Sequence, residues 1–155
     1  MHPDEVLVVD AGFGVADLLT AQVPRFVARV ARNWTARRNV LPGYHGRGRR
    51  PAYGELVRPS PRTYKGQTIA ATPWDAAAKW VVAGRIVRAY VWENLVLSTA
   101  KPGAAALRCV VIQDPRYRQP LVLATNLAVS AYAVWCLYRD RWPVEQVPLA
   151  AKQML

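Results

Sequence analysis

Tyr138, Arg141, Glu145 and Lys152 stand three, four and seven residues apart in the stretch Y-R-D-R-W-P-V-E-Q-V-P-L-A-A-K. On a helix turning about 100° per residue, all four fall within about 60° of arc, one carboxylate among a phenol and two cations. Such a face suits phosphate chemistry. A carboxylate holds a divalent metal through its oxygens, while the flanking Arg and Lys neutralise phosphate oxygens. The plainer reading of the same pattern is an amphipathic helix with a solvated charged face.

A second candidate acid lies near the start of the chain. Val6 to Val9 is a short apolar run ending in Asp10, followed at once by Ala11, Gly12 and Gly14. The pattern predicts a buried strand delivering an acid to its C-terminal end, where ligands sit in open α/β sheets. The alternative is an Asp that caps the next helix, predicted from about Val15 to Val23.

Spacing and surroundings together resemble one family. Y-x2-R-x3-E-x6-K, with Trp142 adjoining, is similar to the signature of DDE transposases of the insertion-sequence-four type. Leu121 to Leu127, L-V-L-A-T-N-L, resembles the strand and T-N-L turn that precede that helix, and D-A-G-F-G at Asp10 resembles the motif around the second Asp of the triad. The resemblance implies an RNase H-like α/β fold with a β-rich insertion, over about residues 40–120, between the second Asp and the Glu. It implies Asp10 and Glu145 as catalytic, metal-binding carboxylates for Mg2+ or Mn2+. Arg141 and Lys152 would hold transposon-end phosphates, with Tyr138 orienting one. The activity implied is DNA transposition, metal-dependent phosphodiester cleavage and strand transfer on double-stranded DNA, with a homodimer possible in an intact enzyme.

One departure from the family stands out. Only nine residues precede Asp10, and neither Asp4 nor Asp17 sits at an earlier strand. The chain therefore resembles the C-terminal part of a catalytic domain lacking the first strands and the first Asp, and little or no transposition is expected from it alone. The rival readings are a non-catalytic DNA-binding remnant that interferes with an intact transposase, and a decayed reading frame without a selected role.

Composition agrees with a nucleic-acid partner. The 155 residues are one domain's worth, 52% apolar, with a net charge of +11 and an isoelectric point near 10.4. A field of that sign steers polyanions to the surface. An anionic membrane is the rival partner, but no long basic amphipathic helix is present to lie on one. Cys109 and Cys136 lie in apolar runs without metal-ligand spacing, and His2 and His45 are isolated, so reduced core thiols are expected rather than a zinc site. No signal-peptide pattern opens the chain, which predicts a cytoplasmic protein. The uncharged run from Pro120 to Tyr138 approaches membrane-spanning length, yet Thr125, Asn126 and Ser130 interrupt it, and a buried strand followed by a buried helix is expected.

The elements between the two acids carry most of the positive charge. Phe26 to Val30 reads as a strand. From Arg37 to Lys65 eight cations face Glu55 alone among Pro42, Pro51, Pro59, Pro61 and several glycines, predicting an irregular basic stretch that tracks a phosphate backbone, with Arg47, Arg49 and Arg50 at its centre. Tyr44, Tyr53 and Tyr64 are interleaved there for base stacking. Strands are expected at Lys79 to Val82, Ile86 to Trp92, Leu95 to Ser98 and Leu107 to Ile112, with a hairpin from Val110 to Leu123 tipped by Arg116, Tyr117 and Arg118. Trp74, Trp80 and Trp92 lie in this region, where the resemblance implies an aromatic that stacks a flipped base; core burial is the alternative. Asn126 is expected to cap a helix from Leu127 to about Asp140. Pro143 would then open a following helix, kinked at Pro148.

Overall fold

The computed structural model describes residues 5–10 and 14–146, with side chains described as far as residue 140. The chain is a mixed α/β structure dominated by sheet. Its elements are β1 (Leu7–Val9), α1 (Val15–Thr20), β2 (Phe26–Arg29), β3 (Ala36–Arg38), β4 (Leu56–Val57), β5 (Arg62–Tyr64), β6 (Gln67–Ile69), β7 (Ala76–Val82), β8 (Arg85–Leu97), β9 (Leu107–Gln113), β10 (Leu121–Thr125) and α2 (Ala131–Gln146). Eight strands form one sheet in the order β1-β2-β10-β9-β8-β3-β4, with β7 also paired to β8; β5 and β6 form a separate ribbon. The β-rich middle of the chain thus continues the sheet begun by β1 and β2.

The β1–β2 pair is parallel, with Val8 opposite Val27, and α1 lies in the connection between them. The neighbouring β2–β10, β10–β9 and β9–β8 pairs are antiparallel. Central strands are apolar on both faces because both faces are covered. On one face Val15 and Leu18 of α1 pack with Phe26, Ala28, Cys109 and Val111. On the other, Ala131, Val134, Trp135 and Tyr138 of α2 pack with Val27, Val110, Ile112 and Leu123. Alternation along each strand decides which face a side chain serves. Burial pushes the Cys109 thiol well up, in keeping with a core thiol. No helix among the described residues is long and apolar enough to cross a membrane, and the uncharged Pro120–Tyr138 run divides into β10 and the start of α2.

Several elements differ from the sequence expectation. The segments expected as Ile86–Trp92 and Leu95–Ser98 are one 13-residue strand, β8, whose register against β9 shifts between Trp92 and Leu95. Asn94 there has φ of 54°, a conformation Asn tolerates better than most residues, so the irregularity bends the strand without ending it. Within Arg37–Lys65, short strands form at both ends, and the irregular portion narrows to residues 39–55. Gly54 near its end is buried, and a Cβ there would overlap the Arg38 carbonyl oxygen and fall 2.8 Å from that of Val40.

The second helix starts later and runs further than its sequence suggested. Ser130, not Asn126, caps it, its hydroxyl accepting from the Ala133 N–H at 3.1 Å. Asn126 is engaged elsewhere: its side chain accepts from Phe26 N–H and donates to the Pro24 carbonyl, both at 3.0 Å, fixing the entry of β2. The adjoining Thr125 hydroxyl donates to the Phe26 carbonyl at 2.7 Å and accepts from Leu127 N–H at 3.0 Å. The T-N-L turn is thus a staple between β2 and the loop leading to α2. Pro143 falls inside one continuous helix, where it removes the bond back to the Arg139 carbonyl. Pro148 lies outside the described residues.

Candidate functional site

Asp10 leaves the C-terminal end of β1, next to the parallel β2. It does not cap α1, whose N-cap is Gly14. Its Oδ1 accepts a hydrogen bond from the Tyr138 hydroxyl at 3.4 Å and lies 3.7 Å from the Arg29 guanidinium. Tyr138 is buried, so the contact ties the outer acid of the sheet to the body of α2. Arg108 secures the approach to that helix, donating to the Leu127 and Val129 carbonyls while pairing with Glu93 at 3.1 Å.

Arg141 and Glu145 lie on α2, three and seven residues beyond Tyr138, or about 4.5 and 10.5 Å along a regular axis. Their side chains, and Lys152 altogether, lie outside the described residues. Among the described residues no three His, Cys, Asp or Glu side chains cluster to hold a metal ion. Asp10 also faces the Arg29 cation, which competes with any metal for its charge. The described residues alone therefore do not make up a site for Mg2+ or Mn2+.

The basic stretch divides by role. Arg37 and Arg38 are structural: Arg37 donates to the Ser98 and Gly54 carbonyls at 2.7 and 3.0 Å, and Arg38 pairs with Asp75 at 2.6 Å. Arg47, Arg49 and Arg50 are exposed in the irregular 39–55 loop. The interleaved tyrosines carry cations on their rings: Arg50 stands 4.9 Å from the Tyr44 centroid, Arg37 5.3 Å from Tyr53 and Arg62 5.6 Å from Tyr64. Each ring thus already has a cationic neighbour where a base was expected to stack.

The three tryptophans also separate. Trp92 is core, 2% exposed, its indole N–H donating to the Thr72 carbonyl at 2.9 Å. Trp80 packs with Tyr132 and Trp135 under α2, and its buried Nε1 has no hydrogen-bond partner among the described residues. Trp74 is 53% exposed with its ring 4.4 Å from Tyr90, which leaves it the one of the three with an accessible face.

Sequence reasoning missed the ion pair at the base of the β9–β10 hairpin. Asp114, just past β9, is buried and accepts from Arg85 Nε and Nη2 at 2.6 and 3.2 Å and from Arg116 N–H at 3.0 Å. Burial opposes its charge, but the hydrogen bonds from Arg85 and the Arg116 backbone outweigh it and hold the carboxyl below its usual range. In the sequence only the turn-forming pair Asp114-Pro115 marks this position. A depressed folded-state value gives stability above the unfolded value, near 3.9, that is lost as pH falls through the folded one. Asp114→Asn should cost about 2–3 kcal/mol at neutral pH, less than a fully buried pair because Arg85 keeps some solvent, and the deficit should shrink in acid. Denaturant melts of both proteins at pH 7 and pH 3 check this; a deficit independent of pH would contradict it.

Around this hairpin and α2 lies a cavity of about 440 Å³, bordered by Arg29 and Tyr138 and thus adjoining Asp10. Compared with known proteins, the chain matches no family model, no curated protein and no solved structure.

Proposed function

We propose that this chain acts on double-stranded DNA as part of a DDE-type transposase of the insertion-sequence-four type, in phosphodiester cleavage and strand transfer at transposon ends. The observation that carries the reading is the Tyr138–Asp10 contact, which brings the helix of the Y-x2-R-x3-E-x6-K signature onto the strand end that bears the candidate second Asp. An RNase H-like fold is part of the proposal, supported by the parallel β1–β2 pair joined through α1 with an acid at the strand's C-terminal end. Such a protein works in the cytoplasm, and in intact form as a homodimer. Mg2+ or Mn2+ would supply Lewis acidity and an activated nucleophile when bound by Asp10, Glu145 and further carboxylates. What the described side chains contribute is narrower. Tyr138 and Arg29 orient Asp10, and the exposed arginines attract and hold phosphates.

The second reading is a DNA-binding protein without cleavage. It is favoured by the Arg29 cation standing 3.7 Å from Asp10.

Both readings need DNA binding, and the loop 39–55 makes it testable. Affinity for duplex DNA should fall steeply with salt, and Arg47→Gln, Arg49→Gln and Arg50→Gln together should flatten the logarithmic slope by about 0.9 for each phosphate no longer neutralised. Filter binding across a salt series reads the slope. A chain that does not hold duplex DNA at low salt would sink both readings, and an unchanged slope in the triple variant would remove this loop from the interface.

A further inference from the structure

The cavity beside Asp10 gathers arginines from four separate parts of the fold. Arg29 ends β2, Arg85 opens β8, Arg116 and Arg118 sit at the tip of the β9–β10 hairpin, and Arg139 lies on α2, with Asp114 the one acid in the wall among the described residues. Four of the five are engaged. Arg85 pairs with Asp114, Arg29 reaches Asp10, and Arg139 lies over the Trp135 ring at 4.5 Å with Asp140 3.7 Å away. Arg116 lies over the Tyr117 ring at 5.4 Å, but it and Arg118 are both exposed, and among the described residues neither has a carboxylate within ion-pair distance.

The rest of the wall is apolar. Pro120, Leu121 and buried Trp135 line it, and Tyr117, 54% exposed, stands at the hairpin tip. Cations set in a low-dielectric wall focus their field into the space between them. A site for phosphate alone has no use for an apolar wall or for so large a volume, whereas a nucleotide uses both. Its sugar and base rest on Pro120, Leu121 and the Tyr117 face that Arg116 leaves open, and its phosphate meets the arginine forks. Formal charge separates kinds of phosphate. A terminal monoester carries about −1.5 to −2 near neutral pH against −1 for a diester inside a strand, so a wall with an excess of cations favours the terminal group.

We propose that this cavity is a binding site for a nucleotide bearing a terminal phosphate, held by Arg116 and Arg118 with the nucleoside against Tyr117. The ligand is either the end of a DNA strand or a free nucleotide; the recognised chemistry is the same. The site is independent of metal chemistry at Asp10, because guanidinium forks bind phosphate without an ion.

Calorimetric titration of the full chain in EDTA with a thymidine trinucleotide, with and without a terminal phosphate, tests it. The phosphate at one end or the other should tighten binding about tenfold. Arg116→Gln with Arg118→Gln should abolish that preference, whereas Arg47→Gln with Arg49→Gln should keep it. Circular dichroism confirms that the exposed-tip variant is folded, and Tyr117→Ala serves as a second variant that weakens both trinucleotides alike. Thymidine monophosphate matching the phosphorylated trinucleotide in affinity identifies a free nucleotide as the ligand, and markedly weaker binding identifies a strand end. Equal affinity with and without the phosphate at either end, or a preference surviving in the Arg116/Arg118 variant, overturns the proposal. EDTA keeps its failure separate from failure of the cleavage reading.

Discussion

Asp10→Ala is expected to lower nicking of a transposon end by roughly 10³-fold or more while slightly strengthening DNA binding. The measurement calls for a fusion that places the first strand and first Asp of an insertion-sequence-four type transposase, the family proposed above, against the outer edge of β1, which has no strand neighbour on that side among the described residues. Cleavage and binding should part company for an electrostatic reason. The carboxylate at Asp10 stands 3.7 Å from Arg29, so removing it releases a cation towards phosphate while taking away a ligand that the proposed chemistry needs. Removing the hydrogen bond to Tyr138 should cost little, because it is long at 3.4 Å and Asp10 is partly exposed. Plasmid relaxation with Mn2+ and filter binding with the same variant read the two effects. If Asp10→Ala and the parent fusion nick equally well, Asp10 is not a catalytic group. If the parent fusion does not nick at all, the non-cleaving reading gains.

Gly54→Ala should unfold the region around β3 and β4 or the whole chain, a larger loss than any surface change here. The backbone of residues 38–40 passes so close that a methyl group would overlap the Arg38 carbonyl oxygen and press on that of Val40. Neither obstacle is a side-chain tip that can swing away. The Arg38 N–H meanwhile donates to the Glu55 carbonyl at 2.9 Å, and Arg37 Nη1 donates to the Gly54 carbonyl, so moving the strand apart breaks both. Overpacking typically costs about 1–3 kcal/mol, and the broken hydrogen bonds add to it, so a total of about 4 kcal/mol or more is expected. Thermal denaturation of Gly54→Ala checks this, and a melting temperature within a degree of the parent's would contradict the close approach. Gly46→Ala is the control. Nothing lies within 4 Å of its added methyl, and the cost there comes from its φ of 80° alone.

What the sequence made legible was local, and what it hid was long-range. The apolar run into Asp10 reads as a strand because four β-branched or apolar residues meet a small-residue turn, and the hairpin tipped by Arg116–Arg118 reads from the Asp114-Pro115 turn signal between two apolar runs. The Arg85–Asp114 pair joins residues 29 apart, and nothing in either local pattern announces the other. Asn126 misled for a related reason. It is a good helix cap by type, but its partners Pro24 and Phe26 lie about a hundred residues earlier and engage it first. Strand β8 looked like two strands because Glu93 and Asn94 break the apolar run, and a bulge accommodates them without interrupting pairing. The tyrosines read as base-stacking rings; Arg62 and Lys65 flank Tyr64 in sequence, but the cations over Tyr44 and Tyr53 come from six and sixteen residues away and are a property of the folded loop.

Strand order sets a timetable for synthesis. β2 carries three fully buried residues, yet its antiparallel partner β10 is made about a hundred residues later, and β3 waits about sixty residues for the far end of β8. Before β8 emerges the described strands can form only the short β1–β2 and β3–β4 pairs and the β5–β6 ribbon, with Phe26, Val27 and Ala28 lacking most of their packing. Pairings this distant in sequence form slowly and leave apolar backbone open to association in the meantime. A ribosome that stalls before Arg85 therefore releases a fragment with no central sheet at all, so the yield of folded protein depends on completing the second half of the chain.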